Sequence, residues 1–356
     1  MGVSSSAVCS VLSEIYDPYQ ELSLVAAGQI TVSGKLIRVS IPYPSQCYHV
    51  ILREQIQNLL DKHFPGEVFD ITVSGGFSVH ENARGMASLP GVKNTLVIAS
   101  GKGGVGKSTV ALAVARAYVK EGASVGILDA DIYGPSLPQM VGCRDEKPEI
   151  SPDNRMIPIK AEGLTVMSIG YLVRPEAAVA WRGPMATQAL TQLLMQTEWG
   201  GLDVLVIDMP PGTGDIYLTL SQKIPVTAAV IVTSPHALAF DDARRSVHLF
   251  NRVDIPVLGI VENMSFFYCS KCEHKHFLFG QGAGERLADD AGTSLLGQLP
   301  FSPAIDEGGD RYFKTECSEL SRRIGARLSR LGERAEERVK IEIKPVVAGK
   351  GAVDGD

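Results

Sequence analysis

The segment from Gly101 to Ser108 contains four glycines and two lysines in eight residues, a pattern that few folds can accommodate. An apolar run, Leu96–Ala99, precedes it, and a helical pattern follows it. Glycines let the backbone curl so that successive N–H groups face one centre, and the following helix adds the positive end of its dipole. The segment therefore predicts a phosphate-binding loop between a strand and a helix, and with it ATP as the ligand.

Side chains of this loop are predicted to bind the phosphates of the nucleotide and its Mg²⁺ ion. We expect Lys107 to reach the β- and γ-phosphates and the Ser108 hydroxyl to bind Mg²⁺. A second lysine, Lys102, is unfavourable unless a polyanion lies close by, so it is also assigned to the phosphates. The remaining nucleotide-binding residues predicted here are Gly101, Gly103, Gly104, Val105, Gly106 and Thr109.

From Asn94 onward the chain contains short runs that are apolar on both faces. They are Thr95–Ala99, Val125–Leu128, Val204–Ile207, Ala228–Val232 and Val257–Val261. Such runs belong in a parallel sheet that is covered by helices on each side. We predict a doubly wound, mostly parallel α/β domain over residues 94–340, with a charged helix from Glu319 to about Val339 docked on it.

Residues 1–78 predict a small α+β domain. Two extended segments, Leu24–Val32 and Lys35–Ile41, flank the turn residues Ser33-Gly34. A helix from about Tyr48 to His63 and a strand at Val68–Val73 follow. The apolar face of that helix is predicted to contain Val50, Ile51, Ile56, Leu59 and Leu60. Residues 79–93 are interpreted as a linker and residues 341–356 as a flexible tail.

Two aspartates, Asp129 and Asp131, follow the second apolar run, at the edge where open α/β sheets place their ligands. Carboxylates near a metal–phosphate centre can orient water or support the Mg²⁺ shell. We predict that Asp131 positions the attacking water and that Asp129 is more structural. A helix N-cap role for either residue stays open.

Asp208 ends the third run and is predicted to hold Mg²⁺ through water. The Pro-Pro-Gly-Thr-Gly loop after it, within 208–215, is expected to respond to the γ-phosphate, with Gly212 at the nucleotide. Asn263, just after the last run, is predicted to hydrogen-bond adenine. Together with the phosphate loop, these residues predict an ATPase.

Cys269 and Cys272 form a C-x-x-C pair, which is half of the usual four-ligand iron–sulfur or zinc site. Two copies facing each other across a dimer would supply four thiolates. A redox dithiol, two inert cysteines and a single-chain zinc site with His274 and His276 are alternatives that the residues leave open. Four ligands in eight residues is, however, tighter than usual zinc spacing.

Charge and composition argue against several partners. A formal net charge of -6 disfavours broad binding to nucleic acid or anionic lipid, because both need a cationic surface. No apolar stretch approaches the roughly 18 residues that span a bilayer. Six cysteines, scattered except for one pair, do not form a disulfide framework, so a reducing, cytoplasmic location is expected.

The chain resembles the Mrp/ApbC/Nbp35 family of iron–sulfur cluster carrier ATPases over roughly residues 94–315. Four segments carry the resemblance in order: Gly101–Thr109, Asp129–Ser136, Asp208–Asp215 and Glu262–Gly284. Its loop is similar to the deviant Walker A class, in which the lysine at position 102 crosses a dimer interface. The resemblance implies a homodimer that holds a cluster, of the [4Fe-4S] type, between Cys269 and Cys272 of two subunits. It also implies apo iron–sulfur proteins and scaffold proteins as partners.

Three departures from the family patterns bear on the predicted metal ligands. Ser270 and Glu273 stand where the family usually has proline and glycine, which puts the rigidity of the cysteine loop in question. Residues 11–76 resemble a MIP18-like domain, but Tyr48 replaces the proline that usually follows the cysteine at position 47. A cluster role for Cys47 is therefore not assigned.

We interpret the chain as an ATPase that carries an iron–sulfur cluster. The main alternative is a positioning ATPase similar to ParA and MinD. Such a protein uses its dimer as a switch that controls binding to DNA or to a membrane. The acidic charge balance counts against that class, which also has no need of the cysteine pair. An insertase for another metal would share the fold and differ in the metal that it carries.

Overall fold

The computed structural model describes residues 3–80, 85–132, 134–172, 183–212, 223–302, 304–305 and 308–331. The predicted tail at 341–356, the last part of the predicted C-terminal helix, and residues 213–215 of the loop after Asp208 lie outside the described residues. Within the described ranges, no helix is both long enough and apolar enough to cross a membrane. The cytoplasmic location stays a prediction.

The N-terminal part is a small α+β unit. Its elements are α1 (Ser5–Leu12), β1 (Tyr16–Asp17), β2 (Leu22–Ser23), β3 (Ile30–Ser33), β4 (Leu36–Ile41), α2 (Gln46–His63) and β5 (Asp70–Gly75). β3 and β4 form the predicted hairpin, and β5 pairs with β4 in parallel. The first predicted strand begins six residues late, because the chain from Leu24 to Gly28 turns, with Gly28 at φ 67°.

The predicted apolar face of α2 was right for Ile56 and Leu60 and wrong for Val50 and Ile51. Val50 and Ile51 on α2 are 62% and 50% exposed, whereas Tyr48, Leu52, Ile56 and Leu60 are buried. Residues four apart lie on one side of a helix, so the buried positions form a single stripe. Val50 and Ile51 lie off that stripe and face solvent.

The rest of the chain is built around one nine-stranded sheet. Its strands are β6 (Val92–Ala99), β7 (Val125–Asp129), β10 (Ile159–Ala161), β11 (Leu164–Ser168), β12 (Leu202–Asp208), β13 (Ala228–Thr233), β14 (Val257–Tyr268), β15 (Lys275–His276) and β16 (Leu295–Pro300). β8 (Glu149–Ile150) and β9 (Met156–Ile157) form a separate two-stranded ribbon. The helices are α3 (Lys107–Lys120), α4 (Leu137–Met140), α5 (Gly183–Gln196), α6 (Ala237–Arg252), α7 (Ala283–Asp290) and α8 (Arg311–Ser329).

Strand order confirms the predicted doubly wound fold. The sheet runs β10-β11-β7-β12-β6-β13-β14, with β16 beside β14, and the five predicted apolar runs all lie in it. The pairings from β11 to β16 are parallel, while β10 and the short β15 are antiparallel to their neighbours. β6 starts at residue 92, so the end of the predicted linker belongs to the sheet.

Each face of the sheet has its own apolar core. Leu96 and Ile98 of β6 face a core that contains α3, α8 and the N-terminal unit, whereas Val97 and Ala99 face a second core with α5, α6 and α7. This alternation is the period-two pattern of a strand buried on both sides. α8 begins eight residues before the predicted start, and its residues Leu320, Ile324 and Leu328 are buried.

The N-terminal unit packs directly against α3 and α8. The rings of Phe77 and Tyr118 meet edge to face with centroids 5.1 Å apart. Tyr43 lies against Gly325 of α8, where an added Cβ would come within 2.8 Å of the tyrosine Cβ. The small unit therefore shares one continuous core with the nine-stranded sheet.

A buried ion pair lies at this junction. The carboxylate of Glu121, at the C-terminal end of α3, accepts hydrogen bonds from the Arg322 guanidinium and from the Cys47 backbone N–H. Arg322 also donates to Tyr19, whose hydroxyl donates to Glu319. One carboxylate thus joins α3, α8 and the start of α2.

Replacing Arg322 with methionine should lower the free energy of unfolding by about 3–5 kcal/mol, because Glu121 would stay buried without its cation. The Glu121 side chain has no exposed surface and that of Arg322 is 10% exposed. Urea denaturation measures the loss, and Arg53→Met on the exposed side of α2 serves as the matched control. The added change Glu121→Gln should recover part of the loss. A drop below about 1 kcal/mol in the single variant would contradict a stabilising role.

Candidate functional site

The predicted phosphate loop connects β6 to α3. Gly106 is the N-cap of α3 and has φ 78°, and a Cβ there would come within 2.3 Å of the Asn263 amide nitrogen. Because glycine has no side chain to cap the helix, the N–H groups of the first turn stay available to phosphate oxygens. The conformation and the close approach both require glycine at this position.

The two loop lysines occupy different environments. Lys107 is 6% exposed; its ammonium bonds to Asp208 Oδ1 and lies 3.8 Å from the Asp131 carboxylate. Lys102 is exposed. The buried Lys107 is placed to bind a phosphate in its own subunit. The exposed Lys102 is free of that restriction and can contact a phosphate bound by a second subunit.

Asp208 has the features of a Mg²⁺-binding carboxylate. It ends β12 and is fully buried, and burial raises its pKa while the Lys107 ammonium opposes the rise. Its Oδ2 atom is buried and has no hydrogen-bond partner among the residues that the structure describes. The Ser108 hydroxyl lies 3.5 Å from the same ammonium. Ser108 and Asp208 therefore fit Mg²⁺, which would balance the phosphate charge when bound.

Asp129 and Asp131 lie in different environments. Asp129 is buried at the end of β7, and burial together with the Asp208 carboxylate raises its pKa to about 7. It accepts hydrogen bonds from the backbone N–H groups of Asp131 and Leu137, at 3.1 and 3.0 Å. Leu137 begins α4, so Asp129 ties that helix to the sheet. Asp131 is 13% exposed and faces Lys107, and its role toward water stays a prediction.

Asn263 is buried and contacts the phosphate loop. Its amide donates to the Val105 carbonyl at 3.0 Å, and its predicted contact with adenine is not tested by this geometry. Gly212, with φ 107°, donates its N–H to the Ser100 carbonyl at 2.9 Å. The loop after Asp208 and strand β14 are thus both bonded to the segment between β6 and α3.

A cavity of about 250 Å³ lies against the loop. Its walls include Lys102, Gly104, His236, Met264 and Phe279. Phe279 also lines an adjoining cavity of about 510 Å³ beside α6 and α7. The segment that follows the cysteines therefore forms part of the wall beside the predicted nucleotide site.

The cysteine pair sits in the connection between β14 and β15. The Cys269 N–H donates to the His274 carbonyl at 2.9 Å, and the Glu273 N–H donates to the Cys269 carbonyl at 2.8 Å. Backbone N–H groups of Lys271 and Cys272 point to the Cys269 sulfur and lower its pKa. Such a turn favours the thiolate, which is the form that binds metals.

Glu273, which stands where the family usually has glycine, has a backbone conformation that suits glycine. It has φ 57°, in the left-handed region that glycine adopts at no cost. Its carboxylate pairs with Arg311 of α8. The residue at this position therefore has a backbone conformation that suits glycine, and the Glu273 carboxylate is paired with α8.

The structure brings a third metal-binding side chain to the cysteines. Ligand atoms of Cys269, Cys272 and His276 lie within 4.8 Å of one another. Cys272 and His276 are exposed, and Cys269 is partly buried. Of the two histidines left open by the sequence, His276 completes this three-residue group. The sequence pointed to the cysteine pair and left both histidines open. The pairing of β15 with β14 places His276, and not His274, in the group with the cysteines.

Comparisons with known proteins identify relatives of this chain. The ParA family, described as NUBPL iron-transfer P-loop NTPase, matches residues 91–332. The iron-sulfur cluster carrier protein of Salmonella typhimurium is 44% identical over 308 residues, which cover 83% of this chain and 84% of that protein. The iron-sulfur cluster transfer protein NUBPL of Mus musculus is 47% identical over 224 residues, or 62% of this chain and 70% of that protein.

A solved structure shares the fold. A nucleotide-binding protein from Archaeoglobus fulgidus in complex with ADP, in which cobalt was found, is 34% identical with a TM-score of 0.54. The match covers 66% of this chain and 89% of that protein. This likeness supports the doubly wound fold of the chain.

Proposed function

Because the chain belongs to the ParA/NUBPL family of iron-transfer P-loop NTPases, we propose that it carries an iron–sulfur cluster between subunits of a homodimer. The observation that carries this proposal is the turn that holds the partly buried Cys269 and the exposed Cys272 close together near the surface. Each subunit supplies two thiolates, and a [4Fe-4S] cluster needs four. Two turns brought face to face would complete the set. The cluster is cargo, which apo iron–sulfur proteins receive.

ATP binds together with Mg²⁺ at the loop after β6, and the ATP is hydrolysed there. Lys107 and the first-turn N–H groups of α3 hold the phosphates, while Ser108 and Asp208 hold Mg²⁺. Asp131 lies beside Lys107 and positions the attacking water. Binding of the nucleotide draws the Lys107 ammonium from Asp208 to the phosphates, which frees that carboxylate for the metal.

Strand β14 is the physical link between hydrolysis and cargo. Asn263 bonds the loop at Val105, and Cys269 follows six residues later, up to about 20 Å along an extended strand. On the same strand Glu262 accepts the N–H of Gly284 at the start of α7. A change in the loop therefore moves the strand that presents the thiolates. A typical coupling of about 1–3 kcal/mol would alter cluster affinity about 5–150-fold, so release also needs an acceptor.

Lys102 supports the dimeric arrangement. It is exposed on the loop that binds phosphate, and it lines the cavity that Phe279 closes from the cysteine side. A lysine in that position is stabilised when a polyanion of the partner lies against it. Nucleotide-dependent dimerisation would then bring the two cysteine turns together.

Anaerobic reconstitution of the full chain tests the function. We expect about four irons and four sulfides per dimer, with the absorption and Mössbauer spectra of a [4Fe-4S] cluster. ATP in place of ADP should change the rate of transfer to an apo iron–sulfur protein. A dimer that hydrolyses ATP yet takes up no iron, or that sediments with DNA or liposomes in ATP, would contradict the carrier function.

A further inference from the structure

We propose that each single subunit also binds one thiophilic divalent cation, such as Zn²⁺, through Cys269, Cys272 and His276. This mononuclear site goes beyond the proposed carrier function, because it needs no second subunit. Binding forms two metal–thiolate bonds and one metal–imidazole bond and releases the two thiol protons to solvent. Two thiolates balance the charge of the cation, and water completes a tetrahedral shell.

Distances within the group suit such an ion. Around a tetrahedral Zn²⁺, with bonds of about 2.0–2.3 Å, neighbouring ligand atoms are about 3.3–3.8 Å apart. The three ligand atoms here lie within 4.8 Å of one another, so rotations of exposed side chains close the remaining gap. The close sequence spacing, which argued against a zinc site, poses no obstacle once three ligands and a water are used.

The imidazole is positioned by contacts that leave it near the thiols. Its ring stacks on Phe267, with centroids 5.1 Å apart and planes 18° apart, because His276 pairs with Phe267 across the β14–β15 ladder. The His274 ring meets it edge-on at 4.8 Å. A stacked ring loses less freedom on binding a metal than an exposed one that has no support.

The two states of the site use different ligands. Four thiolates from two subunits hold the cluster, whereas two thiolates and an imidazole from one subunit hold the single cation. We therefore expect Zn²⁺ to compete with cluster loading, since both states need the same cysteines. His276 distinguishes them, because it serves the single cation alone.

The test uses the full chain without nucleotide and compares His276→Ala with the control His63→Ala, an exposed histidine at the end of α2. Titration with Co²⁺ should give the visible bands of a tetrahedral ion and a thiolate-to-metal transition, at one ion per subunit. Competition with a chelator should show Zn²⁺ affinity lowered at least about tenfold in His276→Ala, since losing an outer-shell partner alone costs about 10–100-fold. His63→Ala should stay within about threefold of the unchanged chain.

The outcomes separate this site from the carrier function. Both histidine variants should still take up about four irons per dimer, and Zn²⁺ binding in a chain that fails to take up iron would leave the mononuclear site standing. One Zn²⁺ per two subunits, or equal Zn²⁺ affinity in His276→Ala and the unchanged chain, would overturn it. Loss of iron from His276→Ala would also overturn the proposal that His276 binds the single cation and not the cluster.

Discussion

Replacing Cys272 with alanine should reduce the iron bound after anaerobic reconstitution from about four per dimer to below one. The dimer would retain two thiolates of the four, and a cubane cluster held by two thiolates is exposed to loss of iron and to oxidation. Iron and sulfide analysis measures the effect, with the absorption spectrum as a second readout. Transfer to an apo-protein should fall in parallel, since there is no cargo to transfer.

Cys47→Ala is the matched control for this loss. Cys47 is also exposed, but the metal-ligating side chains grouped by the structure do not include it, and its backbone N–H bonds to Glu121. The control should retain about four irons per dimer. Retention of iron by Cys272→Ala, or loss of iron from Cys47→Ala, would show that the cluster does not bind at the β14–β15 turn.

Replacing Lys107 with methionine should lower the rate of ATP hydrolysis about 10²–10³-fold, the typical cost of removing one group that stabilises transition-state charge. The lysine is buried beside Asp208, so methionine keeps its length and removes the ammonium. Phosphate release under saturating ATP measures the change. Lys62→Met, an exposed lysine on α2, should hydrolyse ATP at the unchanged rate.

A second substitution separates folding from chemistry at this lysine. Loss of the ammonium leaves Asp208 without its cation in the nucleotide-free protein and can lower stability as well. Lys107→Arg keeps the charge beside Asp208 but not the compact ammonium that the loop surrounds. It should therefore fold with the unfolding midpoint of the unchanged chain and still hydrolyse slowly. Full activity in either variant would exclude Lys107 from the chemistry.

The strands and the phosphate loop could be predicted because their signals are local. Val204–Ile207 and its neighbours are apolar on both faces, and a strand with that pattern has no alternative to a covered sheet. The glycines of the loop indicate the curled backbone conformation that phosphate binding needs, because glycine adopts it without strain. Cys269 and Cys272 were found for the same reason, since their spacing describes a turn.

Contacts between distant parts of the chain could not be predicted. The Asn263–Val105 hydrogen bond spans 158 positions and the Arg322–Glu121 pair spans 201, and neither leaves a periodic pattern. The α2 face was misjudged because Val50 and Ile51 are apolar residues on the exposed side, which is common in proteins. The choice of His276 depends on strand pairing rather than on spacing.

The contact of Tyr43 with Gly325 has a consequence for how relatives of this chain can vary. A glycine in the middle of α8 is costly by itself, by about 1 kcal/mol relative to alanine, and here it makes room for an aromatic ring from the small unit. Selection should therefore keep the two positions matched, with small residues at 325 accompanying large ones at 43. Lineages that have lost the N-terminal unit would be released from this pairing and should accumulate bulkier, more helix-favouring residues at the position of Gly325.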